Sequence, residues 1–267
     1  MILVAGGTGT LGRELVSRLR AAKHSVRVLT RDPARAAGLD AEVVVGDVRD
    51  PSNLAAACVG CSAVVSAVHG FLDGRNGPSR IDDQGNAHLV QAARGVETFV
   101  LLSVYGARAD HPLELHRAKY AAEQHVRAAG IPWTILRPTA YLETWTGIIG
   151  AKLDAGGPAL VFGRGENPIN FVSVHDVAAV VECALTDTTL RGRTIDVPGP
   201  ENLTLTELAT SLGATKIRHI PRAALAVLSR IGPPAFARQA ATALFLDSQP
   251  QTADNSGHVR PLPESGS

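Results

Sequence analysis

Lys119 stands in the stretch His116-Arg-Ala-Lys119-Tyr120-Ala-Ala-Glu123, where residues three and four apart share one helix face. An ammonium so placed assists proton transfer when a phenol lies one turn before it, because the positive charge favours the phenolate. That position is Leu115, and Tyr120 is turned about 100° away around the helix. The face of the lysine carries His116 and Glu123 instead. His116 can supply a proton near neutral pH if it faces a pocket. Tyr105, leaving an apolar run that ends at Ser103, is another possible donor. Lys119, His116 and Tyr105 are therefore the catalytic candidates.

A second chemistry lies at the start of the chain, in Val4-Ala-Gly6-Gly7-Thr8-Gly9-Thr10-Leu11-Gly12. Gly7-x-Gly9-x-x-Gly12 fits the dinucleotide-binding spacing, with a strand expected before it and a helix after it. The first glycines permit a tight turn, Gly9 lets the backbone approach a diphosphate, and Gly12 lets the helix pack on the strand. The N–H groups of the loop and of the first helical turn, Thr8 through Gly12, then meet the phosphates at the positive end of the helix.

The second apolar run, Val-Arg-Val-Leu-Thr30-Arg31, ends without the carboxylate that would take the ribose hydroxyls of NAD. Arg31 stands there, and a guanidinium binds a 2′-phosphate through paired charge-assisted hydrogen bonds. NADPH is expected over NADH. No metal is expected: Cys58-Val-Gly60-Cys61 lacks a second ligand pair, and Cys183 is the only other thiol. Cys58 and Cys61 are expected to pack at a helix end where Gly60 stops the helix. Nor does any Ser/His/Asp nucleophile pattern occur.

These residues need a scaffold. Runs at Ile2–Ala5, Val26–Thr30, Glu42–Gly46, Ala63–Ala67, Thr98–Ser103 and Trp133–Arg137 read as strands, and amphipathic segments such as Leu11–Ala22 and Pro112–Ala129 separate them. Six strand–helix repeats predict an α/β fold with a doubly wound parallel sheet, whose strands are apolar throughout because helices cover both faces. The beat changes after Pro138. Further strands are expected at Asn170–Val174, Thr194–Val197 and Lys216–Ile220, and a helix at His175–Leu185, opened by His175-Asp176 as a cap. The division expected is a dinucleotide-binding core, 1–137 plus 170–197, and an interleaved substrate lobe, 138–169 plus 198–246. The polar segment 247–267 lacks an apolar face and is expected to be disordered.

The chain has 267 residues, with 26 Lys plus Arg against 25 Asp plus Glu and no long run of either sign. That balance argues against nucleic acid or an anionic membrane as partner. No stretch approaches the roughly eighteen apolar residues of a membrane span, and no secretory signal opens the chain. A cytoplasmic protein acting on a small molecule, as monomer or homodimer, is expected.

Together with the glycine loop, Val43-Val-Val-Gly-Asp47-Val48-Arg-Asp50, Val64–Val68, Phe99–Ala107, His116–Tyr141 and Phe171–Ala178 resemble the NmrA-like, atypical short-chain dehydrogenase/reductases. The resemblance spans residues 1 to about 210. It implies that Asp47 and Val48 lie beside the adenine and that Ser66-Ala67-Val68 passes under the cofactor. It also implies that Ser103, Pro138 and Thr139 approach the nicotinamide and that Lys119 holds its ribose. Relatives of this type include quinone and benzylic ether reductases as well as a nucleotide sensor.

For the substrate, Tyr141 and Trp145 share a face if their segment is helical, and the fold is expected to bring Phe171 near. In a chain only 4% aromatic, such a group suits a planar ring. The expected function is reduction of a conjugated carbonyl or quinone-like acceptor by hydride from NADPH. A non-catalytic NADP(H) sensor is the alternative, favoured by the missing tyrosine, which also weakens a sugar-nucleotide epimerase.

Overall fold

The computed structural model describes residues 1–74, 76–153 and 155–254. Its first half alternates β1 (Ile2–Ala5), α1 (Thr10–Ala21), β2 (Val26–Thr30), β3 (Glu42–Val45), α2 (Leu54–Cys58), β4 (Ala63–Ser66), α3 (Gly85–Ala92), β5 (Thr98–Leu102), α4 (Glu114–Ala128) and β6 (Trp133–Pro138). Then come β7 (Ala140–Tyr141), α5 (Leu142–Gly150), β8 (Ala159–Phe162), β9 (Ile169–Val172), α6 (Val174–Thr186), β10 (Arg193–Val197), β11 (Glu201–Leu203), α7 (Leu205–Ser211), β12 (Ile217–Ile220), α8 (Arg222–Ile231) and α9 (Pro234–Ser248).

Seven strands form one sheet in the order β10-β6-β5-β4-β1-β2-β3, and every pairing is parallel. The order reverses between β1 and β4, which leaves a crevice outside their carboxyl ends. β1, β4 and β5 are buried along their whole length because one apolar layer packs on each face. Leu15, Val16, Leu19, Val177 and Val181 cover one face, and Leu54, Leu89, Val90, Ala122 and Val126 the other. β3 closes an edge, with Val45 exposed.

The six expected strands all occur, and β10 does extend the sheet. β9 does not: it lies between β7 and β11 in a separate three-stranded sheet. Ile169 and Phe171 join Ile149, Val161, Leu205 and Leu208 in a second core. The expected core segment 170–197 therefore divides, with β9 in the lobe and α6 and β10 in the main layer. β8 and β12 pair in parallel beside it.

The expected disorder from residue 247 also needs correction. Asp247 is buried, its carboxylate accepts the Arg164 N–H (2.8 Å), and Arg222 pairs with it. Gln251 then bonds both ways, its N–H donating to Pro168 O and its carbonyl accepting from Asn170 N–H, each at 2.9 Å. The segment lacks an apolar period because it is held by polar partners. Residues 255–267 of the expected tail lie outside the described residues.

Candidate functional site

The glycine loop follows β1 into the crevice. Gly6 has φ +89°, and a Cβ there would lie 2.4 Å from Ala67 O, so only glycine lets the β1 and β4 ends close up. A Cβ on Gly12 would meet Gly6 O at 2.2 Å, and one on Gly7 would meet Val28 Cγ at 2.9 Å. Gly9 differs. Its nearest neighbour would be Gly6 O at 3.5 Å, and the residue is exposed, so its missing side chain leaves a cradle open to a ligand.

Gly9 caps α1 without a side-chain bond, no acid stands in the first turn, and the first ladder bond runs from Arg13 N–H to Gly9 O (2.9 Å). The N–H groups of Thr10, Leu11 and Gly12 thus precede the intrahelical ladder, with the positive helix end behind them. Donors, open cradle and the place where strand order reverses fit a dinucleotide diphosphate.

Arg31 leaves β2 at the rim of this crevice. Its guanidinium donates to Asp73 Oδ2 at 2.9 Å, with half the side chain exposed. Arg49 forks onto Asp47 and also donates its own N–H to that carboxylate. Burial pushes Asp47 up, but these bonds prevail and hold it below the usual carboxylate range. Val48 is buried, packs against Gly85 and takes His88 Nδ1 on its carbonyl at 2.9 Å.

Lys119 is 4% exposed on α4. It donates to Val68 O and Leu102 O, each at 2.9 Å, and lies 2.9 Å from Asp82 Oδ1. Two carbonyls take two of its protons, and the carboxylate stands opposite as its ion-pair partner. The ammonium therefore ties the ends of β4 and β5 together.

His116 also departs from expectation. Its ring stacks on His111 at 3.8 Å, and burial with its cationic neighbours drives it down to about 3. It is neutral at pH 7 and carries no proton to give as an imidazolium. Tyr105 is half-buried at the rim, its N–H bound to Pro138 O at 2.9 Å, which joins the β5 and β6 ends.

The hydroxyls expected near the cofactor donate inward. Ser66 gives its proton to Asn86 Oδ1 (2.5 Å), Ser103 to Glu123 Oε1 (2.6 Å) and Thr139 to Asn170 Oδ1 (2.8 Å). Glu123, fully buried, is clamped by Arg137 through two bonds of 2.7 Å and by Arg127 at 3.1 Å. These residues sit at the strand ends as expected, but their protons are not directed at a ligand. Ala67, Val68 and Pro138 line the same edge through backbone.

The aromatic group is mostly core. Phe171 is buried, and Trp145 meets Phe162 and Phe171 edge-on at 6.3 and 6.5 Å. Tyr141 packs on the main core instead, before α5 begins. The stacking platform expected from Tyr141, Trp145 and Phe171 is thus not assembled, because the lobe needs those rings to fill its own interior. Ser173, not His175-Asp176, caps α6 by accepting from His175 N–H.

Two residues at the site had no place in the sequence argument. Asp82 is fully buried on a π-helical turn (Ser79–Gln84) that leads into α3, and its Oδ2 accepts the Gly70 N–H at 2.8 Å. His69 directly follows Val68, and its Nδ1 lies 3.8 Å from Asp82 Oδ1. The available signal was a carboxylate on the buried stripe Asp82, Asn86, Leu89, since a charge there requires a partner. Cys58, by contrast, behaves as expected: it is buried, its thiol is pushed up to about 11 by burial, and Gly60 at φ +73° ends the helix.

Comparison with known proteins agrees with this geometry. The chain is 32% identical over 225 residues to an NAD(P)H azoreductase of Xenophilus azovorans, covering 82% of this chain and 75% of that one. It is 35% identical over 215 residues to a (4-alkanoyl-5-oxo-2,5-dihydrofuran-3-yl)methyl phosphate reductase of Streptomyces griseus, covering 79% and 72%. The fold matches the Citrobacter triphenylmethane reductase complexed with NADP(H) at TM-score 0.77 and 22% identity, over 98% of this chain and 96% of that one. No helix among the described residues is long and apolar enough to cross a membrane. Residues 6–188, from the glycine loop through the last sheet-covering helix, match the NAD(P)H-binding family, and the chain belongs to that family in its NmrA-like, Rossmann form.

Proposed function

We propose that the protein is a reductase that takes hydride from NADPH to a small conjugated acceptor, a carbonyl or quinone-like molecule, bound beside the crevice. The observation that carries this reading is the open cradle at Gly9, set before the α1 amides at the point where strand order reverses. Bound nicotinamide would supply the hydride. The protein's own work is placement: the α1 amides hold the diphosphate, Arg31 faces the 2′-phosphate, and the Lys119 clamp fixes the β4 and β5 ends.

The relatives support reduction. Both are named as reductases, and the substrate named for one is an unsaturated lactone bearing an acyl group and a methyl phosphate. They give the sensor alternative no support. The substrate would lie against α8 and α9 of the lobe, where a cavity of about 220 Å³ opens between Phe71, Leu113, Leu115, Arg238 and Ala241.

The test pairs two measurements. NADPH binding is followed by its fluorescence, and its oxidation at 340 nm is followed against menadione, 2-cyclohexenone, an azo dye and an aromatic aldehyde. Binding with turnover of at least one conjugated acceptor is expected. Tight binding with no turnover of any of them would overturn the reductase assignment and leave a nucleotide-binding protein.

A further inference from the structure

We propose that His69 is the proton donor of the reduction, oriented by the buried carboxylate of Asp82. This rests on the reductase reading above. Hydride addition to a conjugated carbonyl leaves an anion on oxygen, and a general acid that protonates it is needed within hydrogen-bond reach. Lys119 is bound to two carbonyls and a carboxylate, and His116 is neutral. Neither supplies that proton.

His69 is placed to do so. It follows β4 at the central crevice, one residue after the carbonyl that Lys119 holds. The chain just before it passes against the glycine loop, since a Cβ on Gly6 would lie 3.0 Å from Val68 N. Half of its side chain is exposed, whereas Asp82 beneath it is wholly buried. The ring stacks on Phe71 at 5.8 Å and 24° between planes. The backbone of that loop is fixed from α9, where Arg238 donates to Phe71 O (3.1 Å), Asp73 O (2.7 Å) and Gly74 O (3.0 Å).

Nδ1 lies 3.8 Å from the carboxylate, an ion-pair contact longer than a hydrogen bond, and Nε2 lies across the half-exposed ring from it. The ring pairs with Asp82 on the π-helical turn, Lys119 on α4 shares that carboxylate, and Arg238 on α9 reaches the loop that follows. Arg238 is bound to carbonyls. Asp82 is shared with Lys119, so the carboxylate orients the imidazole without a full negative charge to trap its proton. In the step itself, the acceptor gains a hydride at one atom and a pair of electrons moves onto its oxygen. The oxygen then takes H⁺ from Nε2 of protonated His69, that N–H bond breaks, and the neutral Nδ1–H ring left behind regains a proton from solvent.

Two measurements test this. In the cofactor-free protein, 15N chemical shifts report the tautomer of neutral His69, assigned by the signals lost in His69→Gln. The Nδ1–H form, directed at Asp82, is expected, and an Nε2–H form would overturn the inference. In the second, kcat/KM with 2-cyclohexenone or menadione is followed against pH for wild type, His69→Gln and Tyr105→Phe, beside the NADPH dissociation constant of each.

His69→Gln should lower kcat/KM about 100-fold, remove the alkaline decline of the profile and leave NADPH binding unchanged. Tyr105→Phe removes the rival donor at the rim, and its profile should retain the alkaline decline that His69→Gln removes. If wild type turns over and His69→Gln matches it, the inference fails alone; if Tyr105→Phe is the variant that loses the profile, it also fails. A wild type that binds NADPH and reduces nothing removes the reductase reading and this donor with it.

Discussion

Lys119 Nζ lies 2.9 Å from Asp82 Oδ1 with both side chains buried, α4 supplying the cation and the turn before α3 the anion. The same ammonium binds the carbonyls of Val68 and Leu102, so one side chain fixes two central strands where they open onto the crevice. A charge pair out of water contributes little net stability, but each partner is costly to leave alone. Removal of Lys119 strands a buried carboxylate and two carbonyls. Lys119→Met should therefore lower unfolding free energy by about 3–5 kcal/mol in urea titration. A loss below about 1 kcal/mol would show that water replaces the ammonium and that the clamp is dispensable.

Acid should dissolve the same clamp. Burial pushes Asp82 up, yet the Lys119 charge and the His69 contact outweigh it and hold the carboxyl below its ordinary value. Asp247 is likewise held low against burial, by the Arg164 amide and Arg222. For a carboxyl depressed in the folded state, the stabilisation is complete above its unfolded value, about 4, and is lost as pH falls through the folded value. Melting temperature should be flat from neutral pH to about 5 and fall steeply below about 4. An Asp247→Asn variant should be less stable at neutral pH and show a shallower acid decline. A profile parallel to wild type would exclude Asp247 as a contributor.

The glycine loop separates folding from binding. A Cβ on Gly12 would sit 2.2 Å from backbone oxygen, whereas one on Gly9 meets only an ordinary contact at 3.5 Å. Gly12→Ala should destabilise the fold by several kcal/mol, of the order seen for overpacking. Gly9→Ala should melt within about 2 °C of wild type, since it breaks no contact. It should nevertheless bind NADPH at least tenfold more weakly, because the methyl occupies the diphosphate's approach. Fluorescence titration beside thermal melting checks both, and normal binding by Gly9→Ala would place the diphosphate elsewhere.

The glycine loop was legible because its geometry is local: spacing, strand and helix all lie within a dozen residues. The strands were legible because burial on both faces makes their apolar runs continuous. The short strands β7, β8 and β11 were not expected, and β9 was expected but not its layer, since its apolar run suits either and is assigned by β11, about thirty residues later. Lys119 was found, but its role was not, because its acceptors come from residues 68, 82 and 102, and nothing local to α4 announces them. The same holds for Phe171 and Trp145. Aromatic type marks a ring's capacity to stack on a ligand, whereas packing against Phe162 decides that it fills a core instead.

Coenzyme choice should depend on a competition at Arg31. Its guanidinium is 48% exposed and bound to Asp73 Oδ2 at 2.9 Å, and Asp73 is in turn steadied by Asn76 Nδ2 at 2.8 Å. A 2′-phosphate arriving at the β2 end would take the place of that carboxylate, offering a larger charge and two parallel bonds. Arg31→Ala should weaken NADPH binding about 10- to 100-fold, the range for a charge-assisted hydrogen bond, and leave NADH little changed. Asp73→Asn should do the reverse. With the competing charge gone, an exposed pair of at most about 1 kcal/mol is no longer broken, and NADPH should bind about two- to fivefold more tightly. Salt discriminates further, because the gain from Asp73→Asn should shrink as ionic strength rises and screens the pair in wild type. Equal affinities for NADPH and NADH in wild type, or a loss on Asp73→Asn, would move the 2′-phosphate away from Arg31.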